Sequence, residues 1–329
     1  MTTWAKASIA VALLSTIAGG TLVMLWWEGG YSYRLADFLT YQVAGQHVLA
    51  GEPLYASWQS ESYRLTEAAF GRGYVYPPSA AVLLGWTTFL GVMEWRVLNL
   101  LALLVVAALI MRPRGWLAQL AAIAAVLAFP PTWTAWANGQ VTPLLAAGFG
   151  LAWLHPRITW AVVAVGAAIK LFPLVLLVWA LRELGWRHVA YGLAGFAAIV
   201  LLTLPIVGWD AWPAFLAASA NGEPSCAIRG GVTSVRCALQ PLLSGGGAQL
   251  AAFGLAGLLA LVAVSTRSRP AAFALLTVAV LVATPDLNWP YWLLPLVGAL
   301  AAAASLRRPR ATVVNPIARP ASQPGAPSR

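Results

Sequence analysis

A few polar groups stand out in this chain because almost everything around them is apolar. Asp37 is one of only ten acidic residues among 329, and it lies in the polar stretch RLADFLTYQVAGQHVLAGEPLY, Arg34 to Tyr55. That stretch directly follows an apolar run, Ala7 to Trp27. An acid just beyond a membrane face is a candidate general base for a hydroxyl proton, and the same residue type also caps helix N-termini. Lys170 sits in the middle of a second apolar run, Thr159 to Leu181, three residues before Pro173. A charge at that depth is costly unless it meets an anion such as phosphate, or unless its long stem snorkels to the headgroups. Asn138, Gln140, Asp286 and Asn288 offer amides and an acid at two further turns, where they could bond a polar ligand; Asn138 could equally cap a helix. Arg229 and Arg236 share one polar connection with Cys226 and Cys237. The arginines can meet phosphate or solubilise the loop, and the cysteines can form a bridge in an oxidising compartment or remain thiols. The three histidines are scattered, with no H-x-x-H and no Asp pair, so no metal site is expected. No Walker loop or G-x-G-x-x-G is present to hold a nucleotide.

Membrane helices must position these groups. The chain is 60% hydrophobic and 9% charged, where a soluble domain carries about 25% charged residues. Apolar runs near the roughly 20 residues needed to cross hydrocarbon recur throughout, without long period-two alternation. This pattern predicts an all-α polytopic membrane protein and argues against an outer-membrane barrel. The net charge of +10 comes from short clusters, Arg112/Arg114, Arg182/Arg187, Arg267/Arg269 and Arg307/Arg308/Arg310. Such clusters between apolar runs mark loops held inside, not a nucleic-acid surface.

Taken in order, Ala7 to Trp27 reads as a retained first helix rather than a cleaved signal. Residues 28–78 form a first outer loop, with a short interfacial helix expected after Asp37 from the spacing of Tyr41, Ala44, Val48 and Leu49. Trp58, Tyr63, Tyr74 and Tyr76 fit an aromatic belt. Ser79 to Met93 and Thr159 to Leu181 are expected to be hairpins, the second broken at Lys170–Pro173. Pro130-Pro131 should end Trp116–Phe129, leaving Thr132–Gln140 as a polar outer turn. Residues 208–247 form a second outer loop, 1–309 a single transmembrane domain, and 310–329 a disordered cytoplasmic tail. On this count the Asp37 loop, Asn138–Gln140, Lys170, Asp286–Asn288 and the cysteine loop share the outer side. That one-sidedness predicts a shared site. The seventeen tryptophans read mainly as interface anchors, with Trp58, Trp136 and Trp289 as candidate sugar platforms.

The motif D-F-x-x-Y-x-x-A-G (Asp37 to Gly45), followed by A-G-x-P-L-Y (Ala50 to Tyr55), resembles the opening of glycosyltransferase family 87. Y-P-P at Tyr76–Pro78, G-Q at Gly139-Gln140, K-x-x-P at Lys170–Pro173 and T-P at Thr284-Pro285 follow in the same order. The resemblance implies a GT-C-type helical bundle in a bacterial cytoplasmic membrane, with short interfacial helices in its first outer loop. It implies transfer of a hexose, mannose in many such proteins, from a polyprenyl-phosphate sugar to a lipid or glycan acceptor. No further cofactor is expected. In that reading Asp37 is the base. Lys170, Arg229 and Arg236 meet phosphate, and Tyr41, Tyr55, Tyr76, Asn138, Gln140, Asp286 and Asn288 contact substrate. Glu52 and Asp286 are the alternative bases. The rival classes are a polyprenyl-lipid flippase and a catalytically inactive envelope-assembly protein. A flippase should show polar residues through both leaflets, which this sequence lacks.

Overall fold

The computed structural model describes residues 36–55, 74, 76–221, 234–284 and 289–306. The expected first span, Ala7–Trp27, the aromatic positions Trp58 and Tyr63, the Arg307–Arg310 cluster and the tail 310–329 lie outside the described residues. Fourteen helices are described: α1 Ala36–Ala50, α2 Pro78–Leu84, α3 Val92–Met111, α4 Trp116–Ala128, α5 Pro130–Asn138, α6 Thr142–Leu154 and α7 Thr159–Ile169, then α8 Leu176–Leu184, α9 Trp186–Val207, α10 Ala211–Asn221, α11 Val235–Leu239, α12 Gly245–Ser265, α13 Arg269–Ala283 and α14 Leu293–Ser305. Among the described residues there is no strand. Helices α3, α9 and α12 are long and apolar enough to cross a membrane, and the bent pair α4–α5 makes a fourth candidate. The chain is an all-α polytopic membrane protein.

Two elements turn back on themselves. Helix α2 continues into a 3₁₀ turn, Gly85–Phe89, and stops before α3. Its start and the beginning of α3 both meet Tyr41: the Tyr41 ring lies 5.1 Å from Tyr76 and 5.9 Å from Trp95. Helices α7 and α8 form the second return. Trp179, midway along α8, donates its Nε1 hydrogen to the carbonyl of Ala152, in the last turn of α6 before α7 begins.

The bundle therefore has two unlike ends. At one, arginines bond the last carbonyls of neighbouring helices. Arg114 donates to Ala304, Arg182 to Thr266, and Arg269 to Trp153, at 3.0, 2.9 and 2.9 Å. Helix C-termini leave up to four carbonyls without intrahelical partners, and a cation there also complements the helix dipole. Glu183 holds two of these arginines, pairing with Arg182 and lying 2.9 Å from Arg269 Nε. The Arg269 guanidinium covers the Trp153 ring at 4.2 Å, above a cluster of Trp153, Trp179 and Phe273. The basic clusters thus tie helix ends together as well as setting charge.

One expectation needs correction. Thr132–Gln140 is not a polar turn: Pro130–Asn138 is helical and bends 60° from α4. The two prolines occupy the first turn of α5, where a missing N–H costs nothing, so they start a helix as well as ending one. The 208–247 connection contains α10 and α11.

This two-ended arrangement predicts a labelling pattern. Trp209, exposed just beyond α9, and Leu306, exposed just beyond α14, sit at opposite ends. In sealed vesicles, a membrane-impermeant maleimide should label Trp209→Cys and Leu306→Cys from opposite sides. Labelling of both from one side would contradict the arrangement.

Candidate active site

The end opposite the arginine clamp collects the polar motifs. Helix α7 stops at Ile169 because Pro173 has no N–H for the Ile169 carbonyl and its ring crowds that position. Lys170 is the first residue off the helix, in an extended conformation with φ −144° and ψ 139°. The freed carbonyl of Ala168 accepts a 2.7 Å hydrogen bond from Ser79 Oγ on α2. Lys170 is 9% exposed, and its ammonium has no carboxylate partner within 4 Å among the described residues. It rests between two phenol rings instead, 4.9 Å from the centres of both Tyr76 and Tyr291. Its Nζ reaches the Tyr291 hydroxyl only at 3.5 Å. Ring faces attract a cation by their quadrupoles, but they do not neutralise it.

Asp37 enters from α1. The helix begins at Ala36, so Asp37 lies in its first turn rather than before it, and the acid there suits the positive end of the helix dipole. Tyr76 donates its hydroxyl hydrogen to Asp37 Oδ1 at 2.5 Å. That commits the single proton of Tyr76, so the 2.9 Å contact between the Tyr41 and Tyr76 hydroxyls has Tyr41 as donor. Tyr41 in turn accepts the Val141 N–H at 3.3 Å. The order is Val141 N–H, Tyr41, Tyr76, Asp37. Tyr76 is therefore the joint of the site, with its hydroxyl on the acid and its ring against the ammonium. Asp37 Oδ2 makes no hydrogen bond among the described residues. Tyr55 secures the joint by donating to the Tyr76 carbonyl at 2.5 Å.

Burial, and then the nearby Asp37 charge, push both the Tyr41 and Tyr76 hydroxyls well above the ordinary tyrosine value of 10.0. Both therefore remain protonated donors at any physiological pH.

The Gly139-Gln140 motif supports the acid from behind. Gly139 ends α5 with φ +64°, a left-handed conformation, and a Cβ there would lie 2.6 Å from Phe38 Cβ. Only glycine lets α1 approach this closely. Trp95 Nε1 donates to the Gly139 carbonyl at 2.7 Å and Arg96 to Ala137 at 2.7 Å, which fixes the end of α5. Gln140 is buried and accepts a bond from Thr142; it lines a small cavity with Arg96, Asn99 and Trp136. Asn138 is half-buried on the last turn of α5. Arg236 sits on α11, which packs on α12 and α13. Cys237 is disulfide-bonded. Asp286, Asn288, Arg229 and Cys226 lie outside the described residues, as does the Trp289 side chain.

Tyr291 was not singled out from the sequence. Its only local signal is its place in W-P-Y after the T-P turn, and its role depends on a contact with Lys170, 121 residues away. No metal-holding group of three or more His, Cys, Asp or Glu occurs among the described residues.

A family model for glycosyltransferase family 87 matches residues 74–287, more than half of the chain. The chain belongs to glycosyltransferase family 87. No curated protein and no solved structure matches it. The family 87 segment contains Tyr76, Gln140 and Lys170, while Asp37 and Tyr41 precede it and are joined to it through Tyr76 and Val141.

Two predictions follow from the joint. Tyr76→Phe keeps the ring against Lys170 but removes the donor to Asp37, a bond to a charged group worth about 1.5–3 kcal/mol. Thermal unfolding should show a lower midpoint, and Tyr41→Phe should cost less. The pH effect has a definite sign. Because both tyrosines have raised values in the folded state, their stabilisation is intact below pH 10.0 and is lost as pH rises beyond it. Chemical denaturation across alkaline pH should show wild-type stability falling above pH 10 more steeply than that of Tyr41→Phe. Equal slopes would contradict the assignment.

Proposed function

We propose that this family 87 glycosyltransferase moves a hexose, mannose in the reading its motifs favour, from a polyprenyl-phosphate donor to a lipid or glycan acceptor. Transfer takes place at the extracytoplasmic face of a bacterial cytoplasmic membrane. The observation that carries this reading is the shared Tyr76: one side chain bonds the Asp37 carboxylate and stacks against the Lys170 ammonium, with no ion pair between the two charges. A carboxylate oxygen and a cation that have no ionic partner among the described residues, on either side of one phenol, are the two groups that glycosyl transfer from a phosphate needs.

Asp37 takes the proton of the acceptor hydroxyl as that oxygen attacks the anomeric carbon. The new carbon–oxygen bond forms as the bond to the phosphate oxygen breaks, and the phosphate leaves with the electron pair. Its added negative charge is met by Lys170, which Tyr76 and Tyr291 hold in place without cancelling its charge. One displacement inverts the anomeric centre. A donor whose tail cannot leave the bilayer must be met at the membrane face, and the site's end of the bundle is suited to that. Arg229, Arg236, Asn138, Gln140, Asp286 and Asn288 are further candidates for holding the sugar, the phosphate or the acceptor.

The test uses membranes containing the protein and a radiolabelled polyprenyl-phosphate mannose, with new glycolipid as the readout. Asp37→Asn keeps shape and hydrogen-bond capacity, and should lower transfer by about 10²–10⁴-fold with donor binding nearly unchanged. Lys170→Ala should weaken donor binding as well as turnover. Near-normal transfer by Asp37→Asn would return Asp37 to a structural role and move the search for a base to Glu52 or Asp286.

A further inference from the structure

Helix α3 holds the Gly139-Gln140 turn at successive points. Arg96 donates to the Ala137 carbonyl and Trp95 Nε1 to the Gly139 carbonyl, both at 2.7 Å. One turn further along α3, Asn99 is 3% exposed, and its Nδ2 donates to the Trp95 carbonyl at 2.9 Å. Its Oδ1 is buried and bonds nothing among the described residues, and the same is true of Arg96 Nε. Both residues line one cavity of about 10 Å³, together with Trp95, Trp136, Gly139 and Gln140. The Gln140 carboxamide oxygen is taken by the Thr142 hydroxyl at 2.9 Å, which leaves its amide nitrogen as the donor on that side.

One acceptor and two donors around so small a space select what it can hold. A buried donor and acceptor left unbonded are costly, which excludes an apolar occupant. The Arg96 guanidinium repels a cation, and Asn99 Oδ1 repels an anion. A volume of about 10–15 Å³ is the least that admits one water, and a buried water makes about three hydrogen bonds. We infer that the cavity holds one resident water, which accepts from Arg96 Nε and Gln140 Nε2 and donates to Asn99 Oδ1. Asn99 is then a positioning residue. Through the water it fixes Gln140, and the N–H of the next residue, Val141, heads the chain through Tyr41 and Tyr76 to Asp37. That role rests on the reading of Asp37 as the base; the water itself does not.

The experiment uses the purified full chain in nanodiscs and X-ray radiolysis, which makes hydroxyl radicals from bound waters and oxidises the side chains beside them. Trp95 and Trp179 are both fully buried, and of the two Trp95 alone lines the cavity. Trp95 should be oxidised and Trp179 protected. Asn99→Leu keeps nearly the same size and removes the polar atoms, so Trp95 should then be protected as well. With radiolabelled polyprenyl-phosphate mannose, turnover of that variant should fall roughly tenfold through a misplaced base, while KM for the donor stays unchanged. Asn99→Ser gives up the same bond to Trp95 but returns a hydroxyl to the cavity, and should recover both the oxidation and most of the turnover. Equal protection of Trp95 and Trp179 in the unaltered protein would overturn the water. Full turnover in Asn99→Leu, or equal loss in the leucine and serine variants, would overturn the positioning role. No transfer by the unaltered protein would remove the donor reading, and the oxidation of Trp95 would still decide the water.

Discussion

A helix that stops within a membrane leaves carbonyls that water cannot reach, and the long-range side-chain contacts to helix ends in this bundle answer that constraint. Ser79 meets Ala168 where α7 breaks. Trp95 and Arg96 meet Gly139 and Ala137 where α5 ends. Trp179, Arg269, Arg182 and Arg114 do the same at the ends of α6, α12 and α14. With its loose ends tied by side chains, the protein can break helices at chosen places. It breaks them where Lys170 and the Gly139-Gln140 turn come together with Asp37.

The charges at the two ends are managed in opposite ways. At the arginine end, Glu183 pairs with Arg182 and Arg269, and aromatic rings cover what remains. At the site end, Asp37 and Lys170 are held close to a common tyrosine but are not paired. A direct ion pair would stabilise both groups in the resting protein and leave neither available to a ligand. The phenol arrangement orients both groups and leaves the Lys170 charge without a carboxylate partner among the described residues.

Much of this was legible in the sequence, for identifiable reasons. Composition and run length determine a helical membrane protein, and Pro173 beside Lys170 marks a break because proline's missing N–H is a local, unavoidable effect. The family that the motifs resemble is the one whose model matches residues 74–287, with the Asp37–Tyr55 motifs lying before that segment. Pro130-Pro131 misled because the same residue ends one helix and opens another, and only tertiary packing shows that α5 follows. Tyr291 and the capping roles of Arg114, Arg182 and Arg269 left no local trace, since each acts on a partner 84 to 190 residues away or more than 100 residues back in the chain. Basic clusters read as topology signals alone because charge counting carries no geometry.

In the proposed mechanism Asp37 is the base of one displacement, with no second carboxylate acting as nucleophile. Glu183 lies in the arginine clamp at the far end, and Glu52 pairs with His47. The most direct measurement is the anomeric configuration of the purified product, read by NMR against that of the donor sugar. A single displacement predicts inversion. Retention would require a covalent glycosyl intermediate on a second nucleophile, and would contradict it.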